Sequence, residues 1–159
     1  MSFTDIKNKN QGFTIVELLI VVVVIAILAA ITIVSYNGIT NRANASAAKS
    51  TAATWQKKIE LYQAEKGGYP FAFSSLNTSP TTSADAWYVA PTTPLATVAG
   101  LTSSNGKNTV AVQPCGTSTP TNDATTTGMQ ITYYNYETTG SPVIKIGTTT
   151  ACAAAWTNP

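Results

Sequence analysis

Residues 13 to 34, FTIVELLIVVVVIAILAAITIV, form an apolar run broken by one ionisable side chain, Glu17. A stretch of 18 or more apolar residues is long enough to cross a hydrocarbon core as a helix. There, every backbone polar group has to be bonded within the segment itself. A carboxylate in such a segment is costly and is usually kept for function. Lys7 and Lys9 precede the run, and no lysine or arginine follows until Arg42. That asymmetry holds the short leader on the cytoplasmic side and sends the rest of the chain outward. Two simple readings are a secretory signal peptide, cut after small residues such as Ala26, Ala29 or Ala30, and a plain single-pass anchor. The run is long for a signal sequence, and a plain anchor gives Glu17 no task.

A third reading gives Gly12, Phe13 and Glu17 a role each. Gly12 has no side chain, so a protease at the membrane face can approach its backbone closely. A chain cut there would begin at Phe13 with a free α-amino group, positive at neutral pH. Glu17 lies about one helical turn further in. The Phe13 amine of a neighbouring subunit, brought against Glu17, offsets its charge. At about 4 Å and an effective dielectric of 20 the gross attraction is ~4 kcal/mol, before desolvation.

The polar leader, Gly12, Phe13 and the carboxylate at Glu17 together resemble the N-terminus of a type IV prepilin. The resemblance is strongest from Gly12 to about Arg42. It implies cleavage between Gly12 and Phe13 by a prepilin peptidase, N-methylation of Phe13, and an assembly role for Glu17 in setting subunit register. Methylation leaves the amine charged. Ser35-Tyr36 and Arg42 also fall where many family members carry a small residue, a tyrosine and a basic residue. Val34 stands where a helix-breaking proline is frequent, and Ala26 where a glycine is frequent. Gly38 is then the nearby weak point of the helix, at about 1 kcal/mol relative to alanine.

Past the run, Ala48, Ala52, Trp55, Ile59 and Tyr62 recur at spacings of three and four, one helical face. Lys49, Lys57, Lys58 and Glu60 lie off it. Gly67-Gly68 end the helix and Tyr69-Pro70 set an extended exit. A helix from 13 to 66 is about 80 Å long, so its second half packs on something outside a bilayer. The remainder is rich in Thr, Ser, Ala and Gly, with strand candidates at 86–90, 109–113, 129–136 and 143–147. The last two are joined by a turn at 138–142. In the third, Met129, Ile131 and Tyr133 face inward and Gln130, Thr132 and Tyr134 outward. The expected fold is α+β: a long N-terminal helix, membrane-spanning in its first half, laid on a small antiparallel sheet. Its divisions are a leader at 1–12, a transmembrane and filament-core helix at 13–34, its amphipathic continuation at 35–66, and a globular head at 67–159.

Composition narrows the function. There is no histidine, formal net charge is +2, and charged residues make up only 10% of the chain. Imidazole-based triads and His-ligated zinc are excluded, and no catalytic motif, cofactor or metal site is expected. DNA is a possible partner but is not indicated, since basic binders concentrate Lys and Arg on one face. Cys115 and Cys152 pair as a disulfide or remain two buried thiols; export favours the pair, and a bridge over nearly forty residues is worth about 4 kcal/mol in the chain-entropy model. By position it would match the disulfide-bounded C-terminal region of many pilins. Threonine tracts at 81–82, 125–127 and 148–150 read as solvated loops. Asn44-Ala45-Ser46 and Asn77-Thr78-Ser79 match a glycosylation pattern that recurs by chance. Asp85, Asp123 and Glu137 are scattered, and Tyr133, Tyr134 and Tyr136 offer either core packing or a stacking surface.

The resemblance implies a structural subunit, a major pilin, that waits in the cytoplasmic membrane and polymerises with copies of itself into a surface filament for adhesion, motility or DNA uptake. Its partners would be the prepilin peptidase and the pilus assembly machinery. The alternatives are a type II secretion pseudopilin, a minor or competence pilin with a DNA-binding head, and a membrane-anchored enzyme.

Overall fold

The computed structural model describes residues 12–77, 85–138 and 140–156. Most of the expected leader, the threonines at 81–82 and the end of the second glycosylation pattern lie outside them. The chain divides into two compact units, Met1–Ile39 and Thr40–Pro159. Helix α1, Ile15–Lys66, contributes to both.

In the first unit every described residue is exposed, from Gly12 through Ile39. The helix here is long and apolar enough to cross a membrane. Neither Asn37-Gly38 nor Val34 interrupts it.

In the second unit α1 buries Ala48, Ala52, Trp55, Ile59 and Tyr62, the face expected from their spacing. The helix stops at Lys66, where the Gly67 N–H donates to the Gln63 carbonyl at 2.9 Å. Gly67 takes φ +77°, a left-handed conformation that glycine adopts without a Cβ penalty. A short helix, α2 (Ser74–Asn77), supplies buried Leu76.

Four antiparallel strands follow: β1 (Val110–Gly116), β2 (Gly128–Tyr133), β3 (Val143–Gly147) and β4 (Ala151–Cys152), ordered β3-β2-β1-β4. Val112 and Ile131 stand opposite one another on β1 and β2, and Ile131 opposite Ile144 on β3. Together with Val110, Met129 and Ile146 they meet the helix face. Trp55, Phe73 and Trp156 close the core as a tilted aromatic trio with centroids 6.1 to 6.5 Å apart.

The strand expectations hold unevenly. β3 has the expected bounds. Residues 86–90 form no strand, although Trp87 and Val89 are buried. The backbone there bonds elsewhere: the Val89 N–H donates to the Leu76 carbonyl at 3.0 Å, and the Lys58 ammonium donates to the Tyr88 carbonyl. β1 runs on through Pro114 to Gly116. The Pro114 carbonyl accepts from the Ala153 N–H at 2.9 Å, so the proline's missing donor faces the C-terminal segment rather than β2. β2 ends at Tyr133, because the Asn135 side chain turns the backbone by accepting the Glu137 N–H at 2.8 Å. Thr132, expected to face outward, is buried, and its hydroxyl has no partner among the described residues.

Candidate functional site

The features singled out in the sequence sit where α1 begins. The first helical bond runs from the Leu18 N–H to the Thr14 carbonyl, 3.3 Å, which makes Thr14 the N-cap and Glu17 the third helical residue. The Glu17 N–H donates to the Thr14 hydroxyl at 3.2 Å, and the Thr14 N–H donates back to the Glu17 carboxylate at 2.8 Å. The Thr14 hydroxyl also donates to that carboxylate at 2.6 Å. This is a capping box, in which Thr-x-x-Glu satisfies orphan donors of the first turn reciprocally. The carboxylate also lies at the positive end of the helix dipole. Glu17 therefore has local hydrogen-bond partners within one chain, but no cation among the described residues.

Phe13 is 92% exposed immediately before the cap. A side chain added at Gly12 would meet nothing within 4 Å among the described residues, so their packing does not require glycine there. Phe13, Glu17 and Leu18 lie around one hollow in the helix surface, next to Ile20, Val21 and Val22. Thr14, the partner of Glu17, is not among the residues expected from the sequence; its signal is the Thr-x-x-Glu spacing, which the charge of Glu17 in an apolar segment overshadows.

The other residues singled out lie in the second unit. Cys115 and Cys152 are joined by a disulfide and stand directly opposite each other on β1 and β4, with Cα atoms 4.0 Å apart. Asp123 accepts the Phe71 N–H at 2.6 Å, and no cluster suited to a metal ion occurs among the described residues. Asn44 lies within α1, half-buried. Tyr133 packs on the core, whereas Tyr134 and Tyr136 stand edge to face at 4.8 Å outside it.

The family described as the prokaryotic N-terminal methylation motif matches residues 7–33. The chain is also similar to the fimbrial protein EcpC of Eikenella corrodens, 35% identical over 65 residues. The chain thus carries a prokaryotic N-terminal methylation motif and is similar, over part of its length, to a fimbrial protein. The second match covers 41% of this chain and 42% of the relative, less than half the length of either. No solved structure matches it. The motif spans the junction of Gly12 with Phe13 and continues through Glu17 into the exposed apolar helix.

Proposed function

We propose that this chain is the major structural subunit of a type IV pilus. It is made as a membrane-anchored precursor and cut between Gly12 and Phe13 by a prepilin peptidase. The new Phe13 amine is methylated, and the subunit joins copies of itself in a surface filament. The observation that carries this reading is the position of the methylation motif, across Gly12–Phe13 and into the first part of a helix whose apolar side chains are all exposed up to Ile39. Lipid or other copies of the same helix can cover that surface. At about 25 cal/mol per Å², a few hundred Å² covered per neighbour is a substantial driving force.

In this scheme the Thr14–Glu17 box orients the carboxylate at the start of the helix while the subunit resides in the membrane. The amine of a neighbouring Phe13 then supplies the positive charge that Thr14 cannot. Pairing favours one axial stagger, because any other leaves both charges in a medium of low dielectric.

Processing tests the reading. Protein extracted from membranes should begin at Phe13 and carry one added methyl group by intact mass and N-terminal sequencing. Gly12→Val, which the fold accommodates, should leave the precursor uncut. Mature protein beginning at Met1, or after Ala30, would refute the proposal.

A further inference from the structure

In the Thr40–Pro159 unit a groove of about 380 Å³ opens between α1 and the chain that leaves β2. Arg42, Ser46 and Lys49 line one wall, Tyr133, Tyr134 and Glu137 the other. The first three recur at spacings of three and four along α1, which places them on one face of the helix. Pockets that take small ligands run from about 300 to 1,000 Å³, so this groove suits one or two ring-sized units.

The two walls differ in stiffness. Tyr133 is packed on the core, and Tyr134 is braced by Tyr136, whose hydroxyl donates to the Ser103 carbonyl at 3.0 Å. The loop beneath them is tied by Asn135, which accepts the backbone N–H groups of Glu137 at 2.8 Å and Thr138 at 3.3 Å. The helix wall is looser. Arg42 Nε lies 3.9 Å from Glu137 Oε1, with both side chains largely exposed. Lys49 has no hydrogen bond or ion pair among the described residues.

A fixed aromatic wall facing two under-used cations matches a particular chemistry. A tyrosine ring offers an apolar face with a polar tip, as does a pyranose, whose C–H faces are apolar and whose rim carries hydroxyls. A carboxylate on that ring would complete charge-assisted hydrogen bonds with Lys49 and Arg42. Glu137 would accept from ring hydroxyls. Two cations against one carboxylate leave the groove net positive, which disfavours a neutral sugar relative to an acidic one. A nucleic acid needs a longer line of cations along its backbone. We propose that this groove binds an acidic saccharide, a hexuronate unit seated against Tyr134 with its carboxylate toward Lys49 and Arg42. The inference does not rest on polymerisation.

The test uses the full chain in detergent micelles, titrated with tetragalacturonate and with an uncharged galactose tetramer of equal length. Calorimetry should show the uronate binding at least about tenfold more tightly than the neutral tetramer, and Lys49→Ala should erase about that factor. Lys57→Ala, exposed on the same helix but outside the groove, should bind as the wild type does. Tyr134→Leu should weaken both tetramers; should it fail to fold, the exposed Lys49→Ala variant still decides. No uronate binding up to about 10 mM, equal binding of the two tetramers, or wild-type affinity in Lys49→Ala would each overturn the proposal. Cross-linking of Lys49 to a second copy, undiminished by uronate, would assign the groove to a subunit contact and overturn it as well.

Discussion

Helix α1 meets two different environments along its length. Up to Ile39 its apolar residues surround the whole circumference and none is buried within the chain; beyond Thr40 they narrow to one face, and that face is the core. A helix apolar all round needs a non-aqueous neighbour, whereas an amphipathic one needs only a sheet to lie on. Periodicity alone thus separates the part of the helix that depends on other molecules from the part that completes its own domain. The polar groups follow the same division. In the first unit Glu17 is satisfied by a residue three positions away, while in the second Lys58 and Asp123 bond to segments far off in sequence.

Substitutions can sharpen or break that division. The largest effect is expected at Glu17, where assembly rather than folding is at stake. Removing one member of a buried charge pair costs about 3–5 kcal/mol, repeated at every subunit joint. Glu17→Val should be cleaved and inserted normally, keep the thermal stability of the head, and yield no long filaments in shearing assays as the sole pilin. Wild-type filament yield would show that the carboxylate does not govern assembly.

Next comes Trp55, on the same helix but in the other environment. Trp55→Ala should cost the head about 3–5 kcal/mol in urea titrations, whereas Val22→Ala should leave the head unchanged. A comparable loss from Val22→Ala would erase the distinction between the two halves.

Replacing both Cys115 and Cys152 by alanine should cost about 2–5 kcal/mol, read from the same titrations, without altering membrane insertion. Non-reducing peptide mapping of isolated filaments should find the two bonded to each other.

The smallest effect concerns the end of α1. There Lys66, 2.8 Å away, and then the Trp87 indole N–H hold the Glu65 carboxyl below its ordinary value of 4.5. A depressed carboxylate contributes stability above its unfolded value and loses it as pH falls through the lowered one. Glu65 in turn raises Lys66 above 10.5, a contribution fully present below that pH and lost as pH rises through the raised value. Melting temperatures should fall slightly at both extremes, and Glu65→Gln should flatten the acid limb. An unchanged acid limb in that variant would remove Glu65 from the account.

Much of this was legible from residue order. The face from Ala48 to Tyr62 repeats often enough to declare itself, and Val143–Gly147 alternates between clear turn signals. Residues 86–90 mislead because Trp87 and Val89 alternate as strand residues do, yet the partners of this backbone, the Leu76 carbonyl for Val89 and the Lys58 ammonium for Tyr88, are distant and leave no local signature. Pro114 concealed the length of β1, since a proline argues against a central strand; here its missing donor lies on the side of the short C-terminal strand and leaves the pairing with β2 intact. Thr14 was in plain view as the N-cap of a Thr-x-x-Glu box. The groove was not, because Arg42 and Lys49 approach Tyr134 and Glu137 only through the tertiary fold.

The placement of Trp156 imposes an order in time. Its indole N–H donates to the Phe71 carbonyl at 2.8 Å, 85 residues earlier, and its ring stands against Trp55 and Phe73. If the head crosses the membrane behind the span, as proposed, Trp55 and Phe73 emerge long before Trp156 does. Through that interval Trp55 and Phe73 lack the third ring of their trio, and the half-made head keeps that aromatic surface uncovered. Completion of the core would then wait on delivery of Trp156, so that the rate at which the chain is translocated bears on how long that surface stays open.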